Sequence, residues 1–591
     1  MINRNNIKTK WNLKLLYGGL KDPQIEKDIQ AIELACTAFA KKYENRDYIA
    51  TPQKLATALR QYEHLEKKYG GQKPWWYHAL AGDIDIQDDS IRARAIEIQQ
   101  RLTTATNKLT FFKLRIGTIP KHQQNKILKH PSVVPYVYFL RQIFQNAKHQ
   151  LSISEEQLKN ILEQPAYDMW IDGQEKLLLK QTIVLKGKEV SIVEAIGVLH
   201  SLPYTQRQKI HTAIHEKLRS ISFFAESELN AIGTYKKLID SKKKFVHPYS
   251  NTMLDFETSE KNADAVAQLI TKRFDIAHRF YKLHAKILKQ KKLTMADRGV
   301  AAGTITKKFK FDETVKFVYE SFYSIHPDYA QILLNFLHNG QIDVFPRLNK
   351  KSGAYCWGVG DFPTFVLLNH TEDIRSVETL GHEMGHAIHT ELSKKQAPLY
   401  QKYSTLTAEV ASTFFEQVVS NRLESHLSKK DQIIFLHNKL LGDIATIFRQ
   451  IACFNFEKEF HENIKSKGYL PKEELARIMQ KHIQSYTGPT IKVTENDGYY
   501  FVFWSHIRRF FYVYSYAYGQ LVSRALYAQW KENPAYERKI RSFLEAGKSM
   551  SPDNIFKSIG INTSRADFFE AGLKSIEQDI IRLERMVQKN N

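Results

Sequence analysis

The chain has 591 residues, 43% of them hydrophobic and 25% charged, and its 86 Lys and Arg outnumber 63 Asp and Glu to give a formal charge of +23. That length and apolar content can bury more than one core, which excludes a disordered or fibrous chain. Cys36, Cys356 and Cys453 are few, odd in number and far apart. They exclude a disulfide framework and a Cys-based metal site, and read as reduced thiols.

In chain order, Met1 through Lys14 is polar and basic without an apolar stretch, and no later run approaches the ~18–20 apolar residues of a membrane span. A cytoplasmic protein with no membrane partner is expected. Apolar positions at i, i+3 and i+4 predict helices over Asp22 to Tyr43, Pro52 to Tyr69, Ile91 to Arg115 and Ser154 to Glu163. Gln181 to Leu185 alternates like a strand and runs into a turn over Lys186 to Glu189. The helical pattern returns over Ala263 to Leu288, Thr314 to Tyr323 and Asp328 to Asn339. Ala354 to Leu368 is again strand-like, and Phe501 to Trp530 is expected to be one long helix. No repeat or low-complexity tract interrupts this order, so the fold class is mainly α with a small β element.

The lysines of Lys236-Lys237, Lys242-Lys243-Lys244 and Lys289-Gln290-Lys291-Lys292 are scattered among helical segments rather than gathered in a tail, which reads as solvated helix faces. There is no Cys/His finger, ribonucleoprotein aromatic signature or Gly-rich phosphate loop, so no specific nucleic-acid partner is expected. Non-specific attraction to polyanions, or a preference for acidic peptides, stays open.

The most informative stretch is Thr379-Leu380-Gly381-His382-Glu383-Met384-Gly385-His386-Ala387-Ile388-His389. His-Glu-x-x-His on a helix sets two imidazoles one turn apart with a carboxylate beside them. Two neutral imidazoles can share a Zn²⁺ while the Glu is held close to an activated water without ligating the metal. Leu380, Met384, Ala387, Ile388 and Leu392 form the apolar stripe of the same helix, leaving His382, Glu383 and His386 on the other side. Gly381 and Gly385 weaken a helix by about 1 kcal/mol each relative to Ala, a cost understood if another backbone or a ligand approaches closely. His389 reads as packing or support for the ligands.

A zinc hydrolase needs a third protein ligand and an open fourth position. Thr407 to Glu416 predicts a second helix whose polar face carries Glu409 and Glu416, two turns apart. One can ligate while the other accepts a hydrogen bond from a ligand imidazole. Glu409 is the better ligand candidate. The strand-like segment just before the motif, opened by Gly353-Ala354-Tyr355, is expected to pair with an extended substrate backbone.

Gly381-His382-Glu383-Met384-Gly385-His386-Ala387, followed by Glu409-Val410-Ala411-Ser412-Thr413 and Glu416, resembles the zinc oligopeptidases of the thimet oligopeptidase and oligoendopeptidase F group. Gly353-Ala354-Tyr355-Cys356, Val366 to His370, Phe511 to Ala517, Trp11-Asn12-Leu13 and Leu16-Tyr17-Gly18-Gly19 make it closer to oligoendopeptidase F. The resemblance is dense from about residue 300 to 525 and thin before 200. It implies that His382, His386 and Glu409 hold one Zn²⁺ per chain, that Glu383 is the general base, and that helices enclose a deep substrate channel. It also implies that His506, Tyr512 and Tyr516 stabilise the tetrahedral intermediate. Some members carry a Gly-rich turn where this chain has Ile507-Arg508-Arg509-Phe510-Phe511, and a further family tyrosine falls on Gly519. On a continuous helix Tyr512 and Tyr516 would share one face, and Tyr514 and Tyr518 another that reads as packing. By analogy, and from the hairpin-like break there, a boundary near residue 190 would divide an N-terminal helical domain (1–190) from a metallopeptidase domain (191–591).

The expected activity is endopeptidase hydrolysis of internal bonds in short peptides, with Glu383 taking the proton of an activated water. A dipeptidyl carboxypeptidase is the alternative, with Arg508 and Arg509 near enough in sequence to bind a C-terminal carboxylate. A basic binding protein with a structural zinc fits less well, because structural sites are usually closed by four ligands and rich in Cys. Monomer and homo-oligomer are both open.

Overall fold

The computed structural model describes residues 7–590. Most of these are helical, and the strands are short and few. The chain divides into two compact units: residues 1–150, 306–422 and 526–560 build one, and 151–305, 423–525 and 561–591 build the other. Each is therefore assembled from three separate stretches, so these units cross the boundary expected near residue 190. Among the described residues no helix is long and apolar enough to cross a membrane.

In the first unit the predicted helices form with their caps in place. Asp22 accepts from the Gln24 amide ahead of Pro23–Tyr43, and Thr51 from the Lys54 amide ahead of Pro52–Tyr69; both helices place Pro in the first turn, where no amide partner is lost. The expected Ile91-to-Arg115 helix is instead two, Asp89–Asn107 and Thr110–Gly117, because the chain must turn at Lys108 and Leu109 to bury Leu109 and Phe112. Ile29, Leu55, Leu59, Ile98, Leu102 and Phe112 share one core with Trp357, Phe365 and Leu367 of a three-stranded sheet. In that sheet Phe365–Leu367 is central, with Ile342–Asp343 parallel on one side and Tyr355–Trp357 antiparallel on the other. Trp11 ties the opening of the chain to it, donating from Nε1 to the Val366 carbonyl at 2.8 Å. Lys350 is buried, and its ammonium meets Asp343 Oδ1 at 2.8 Å.

In the second unit the hairpin forms as Thr182–Leu185 paired with Lys188–Ser191. Its turn residues Lys186 and Gly187 have φ of 52° and 78°, the left-handed pair a two-residue hairpin demands. The expected Ala263-to-Leu288 helix breaks at Arg273 into Glu260–Lys272 and Phe274–Ile287. Not every lysine lies on a solvated face. Lys236 is buried and reaches Asp240 Oδ2 at 2.8 Å.

Candidate metal centre and active site

The motif lies on the helix Ile374–Ser393, which Asp373 caps by accepting from the Ser376 amide. Leu380, Met384, Ala387 and Ile388 are fully buried on its core side. The 3.6-residue period turns His382 and His386 away from them, with ring centroids 5.0 Å apart. The helix Thr405–Ser425 runs against this one at very short range. A Cβ on Gly381 would lie 2.9 Å from Val419 Cγ2, and one on Gly385 would lie 2.7 Å from Ser412 Cα. Bare glycine backbone is what lets the second helix approach, and that approach delivers its two carboxylates. Glu416 Oε2 lies 2.8 Å from His382 Nδ1, and Glu409 Oε2 lies 3.8 Å from His382 Nε2. One donor atom each from His382, His386 and Glu409 fall within 4.8 Å of one another.

The electrostatics follow from crowding acids and imidazoles into a buried space. Burial opposes a charge on His382, but the hydrogen bond and charge of Glu416, with Glu383 and Glu409 nearby, outweigh it and push its pKa up to about 9. Burial raises Glu383 to about 7, reinforced by Glu409 and Glu416 and opposed by His382. Burial and the neighbouring imidazoles hold His386 well below its usual value. Glu416 engages Nδ1 of His382, which leaves Nε2 of that ring towards Glu409. His389 belongs to the packing: its ring stacks on Tyr403 with centroids 3.8 Å apart, and burial lowers it to about 3.

Among the described residues, the strand Tyr355–Trp357 is paired on one side only, by Phe365–Leu367. At its mouth Gly353 is exposed with φ of 82° and its carbonyl accepts from Asn369 at 2.8 Å, while Ala354 and Tyr355 are half-buried. The Tyr355 hydroxyl is committed to Asp83 Oδ2 at 2.6 Å, which leaves backbone as what this strand offers a ligand. The Cys356 backbone lies near enough to the Glu383 carboxyl to work against the rise in its pKa, so this strand and the motif helix meet at the general-base candidate.

The single helix expected over Phe501 to Trp530 does not form. Short turns span Tyr499–Val502 and Ser505–Arg508, and the helix begins only at Tyr514. Phe510 and Phe511 adopt φ of 44° and 66°, a left-handed conformation costly for bulky residues. It lies where a Gly-rich turn would pass cheaply, and tertiary contacts hold it instead. Phe511 N donates to Glu457 Oε1 at 2.8 Å, and Thr252 Oγ1 donates to the Phe510 carbonyl at 2.8 Å. Tyr512 thus precedes the helix, so helical spacing does not explain its neighbours. The bend nevertheless brings His506, Tyr512 and Tyr516 together: Tyr512 hydroxyl meets His506 Nδ1, and the rings of Tyr512 and Tyr516 are 5.6 Å apart. Burial and two arginines lower His506 to about 4, so it is neutral near pH 7. Tyr514 and Tyr518 are buried.

Residues 246–575 match the model of Peptidase family M3, more than half of the chain, and residues 115–172 match that of Oligopeptidase F. The chain belongs to peptidase family M3. This member is 26% identical to Group B oligopeptidase PepB of Streptococcus agalactiae over 88% of each chain. It is also 26% identical to an oligoendopeptidase F homolog of Borreliella burgdorferi over 96% of each. A crystal structure from Chlamydophila abortus shares the fold, with a TM-score of 0.86 at 21% identity over 98% of both chains. The chain is a metallopeptidase, as the motif suggested.

Two features of this M3 peptidase escape a reading of its sequence. Arg508, considered as a receptor for a substrate carboxylate, is 3% exposed and forms a fork with buried Glu228, with both N···O distances 2.6 Å. It also donates to the carbonyls of Phe501 and Trp504 at 3.1 and 3.2 Å. Its donors are therefore spent on the irregular backbone around His506, while Arg509 is exposed. Glu457 is the second feature: burial pushes it up to about 8, against the Phe511 amide bond and Lys236. Neither carboxylate sits in a motif, and each is more than 50 residues from its partner.

Proposed function

We propose that this peptidase holds one Zn²⁺ through His382, His386 and Glu409 and cleaves internal bonds of short peptides. The observation that carries the reading is the convergence of these donors on one point, with Glu383 beside them. Tetrahedral ligands at zinc lie about 3.3–3.4 Å apart, and the 3.8 Å between His382 Nε2 and Glu409 Oε2 is close to that edge. Three protein donors also leave the fourth position free. Zinc, when bound, supplies Lewis-acid polarisation of oxygen.

The chain's own residues supply the rest. Glu416 accepts from His382 Nδ1 and so fixes the ring with Nε2 towards Glu409, where it would ligate zinc. Glu383 removes a proton from the attacking water; the water oxygen bonds to the scissile carbonyl carbon, the C–N bond breaks, and Glu383 returns the proton to the leaving amine. The unpaired edge opened by Gly353, Ala354 and Tyr355 pairs with extended substrate backbone, which tolerates varied sequences. His506 paired with Tyr512, together with Tyr516, is assigned to hydrogen-bond the developing oxyanion. With His506 neutral, the bond between the Tyr512 hydroxyl and His506 Nδ1 uses one proton of the pair and leaves one, on the ring or on the phenol, to donate. The names of the PepB and oligoendopeptidase F relatives fit small peptides as substrates. An exopeptidase reading loses its most buried candidate receptor, since Arg508 is occupied by Glu228.

Digestion of a length series of internally quenched peptides, with and without chelator, tests the proposal. Products from internal cleavage, lost on chelation and restored by Zn²⁺, are expected; release of C-terminal dipeptides alone would replace it with the exopeptidase.

A further inference from the structure

A second cluster of metal-binding side chains lies in the other unit. His211 and His215 are one turn apart on the helix Tyr204–Ser220, with ring centroids 4.2 Å apart. Asp497, in the short helix Glu495–Gly498, lies beneath them. Its Oδ1 is 3.3 Å from His211 Nε2 and 3.9 Å from His215 Nε2. Donor atoms of the three residues all fall within 4.8 Å of one another. These spacings bracket the roughly 3.3–3.4 Å edge of a tetrahedral zinc site.

The hydrogen bonds around the cluster leave its inward carboxylate oxygen without a partner. Asp497 is 2% exposed, and its Oδ2 is taken by the Thr494 amide at 2.6 Å and the Thr494 hydroxyl at 2.7 Å. Oδ1 is buried with no hydrogen-bond partner, although His211 is only 3.3 Å away. A buried carboxylate oxygen left unbonded is costly, and one aimed between two imidazoles asks for a cation. His215 Nδ1 lies 3.1 Å from the Asn496 carbonyl, an acceptor, so the ring's proton is at Nδ1 and Nε2 presents a lone pair. That lone pair faces a carboxylate oxygen, an arrangement that repels unless a positive ion sits between them. A backbone carbonyl fixing the far nitrogen is also how metal-ligating histidines are commonly oriented. The opposing charge nearby is Arg298, whose guanidinium bonds the Tyr486 hydroxyl at 3.2 Å and lies over the Tyr500 ring at 5.8 Å.

We propose that His211, His215 and Asp497 form a second divalent-metal site, separate from the one on the His-Glu-x-x-His helix and suited to Zn²⁺ or Co²⁺. Two imidazoles and one carboxylate select a borderline transition metal over Mg²⁺ or Ca²⁺, which prefer oxygen ligands throughout. A cation there ties Tyr204–Ser220 to Glu495–Gly498, the element immediately before the Tyr499–Val502 and Ser505–Arg508 turns that carry His506. Its consequence is order in that segment.

The test uses the full chain, stripped with chelator, loaded with Zn²⁺ or Co²⁺, desalted and analysed for metal content. His382→Ala/His386→Ala, which removes the motif imidazoles, is expected to keep one metal per chain. Adding either His211→Ala or Asp497→Asn should remove it, together with the Co²⁺ d–d absorption. X-ray absorption at the zinc edge of His382→Ala/His386→Ala, where this cluster is intact, should report two imidazoles and oxygen ligation. No metal in that variant, or metal that persists after both added substitutions, overturns the proposal. Failure of the first site instead leaves the wild type with one metal that is lost with His211→Ala and kept with His386→Ala.

Discussion

The helix pair that carries His382, Glu383, His386, Glu409 and Glu416 and the segment from Phe501 to Tyr516 reach similar ends by opposite means. In the first, regular helices do the positioning: a turn separates the imidazoles, two turns separate the carboxylates, and Gly381 and Gly385 set how near the helices come. In the second, side chains are placed by non-repeating backbone that is itself unfavourable, with Phe510 and Phe511 left-handed. Long-range bonds from Glu228, Glu457 and Thr252 hold it in place. Regular structure lets function be read locally. Irregular structure borrows its stability from distant residues, so its weak points lie outside the site.

The largest expected effect is at the regular site. Glu383→Gln keeps the shape but cannot shuttle a proton, so turnover should fall at least by the about 10²–10⁴-fold typical of a general base, with zinc content unchanged. Measuring both on one sample decides it, and near-normal turnover would end the mechanism. At the irregular site the largest effect should be on stability. Arg508→Met strands Glu228 in the interior and should cost about 3–5 kcal/mol in denaturant unfolding, with Arg508→Met/Glu228→Leu recovering part of it. A loss below 1 kcal/mol would show that the segment does not lean on this pair.

Tyr512→Phe removes only a hydroxyl and should raise the barrier by about 2.7–4 kcal/mol through kcat with little change in KM, whereas Tyr514→Phe, deep in the core, should change kcat far less. Steady-state kinetics with the Tyr514 variant as the slower enzyme would move the oxyanion assignment to the other tyrosine. The smallest effect is Glu416→Ala, expected to weaken zinc about 10–100-fold, while Glu409→Ala should lose it far more completely. Competition with a chromogenic chelator ranks the two, and the reverse order would exchange their roles.

The same contrast explains what the sequence makes legible. The helix pair is readable because its information is periodic: the apolar stripe and the His-Glu-x-x-His spacing lie within about one or two turns of what they affect, while Gly381 and Gly385 signal a close approach without naming the Val419 and Ser412 that make it. The Phe501-to-Trp530 helix was overextended for the complementary reason. Its aromatic pattern satisfies helical spacing, yet Trp504, Ile507 and Phe511 are buried through contacts across the unit, and burying them bends the chain. Grouping of His506 with Tyr512 and Tyr516 came from resemblance, and the bend that achieves it came from tertiary structure.

By itself the sequence determined the mainly helical class, a hairpin-like break opening at Lys186 and the identity of the motif residues, because these depend on neighbours a few positions away; the turn is Lys186-Gly187 alone, with Lys188 and Glu189 already in the second strand. Only tertiary structure decided that Glu416 engages His382, that Arg508 is consumed by Glu228, that two bulky residues accept a left-handed backbone, and that His211, His215 and Asp497 meet. Each of those joins groups 34 to 286 positions apart or spends local energy to satisfy distant packing, and a linear pattern has no term for either.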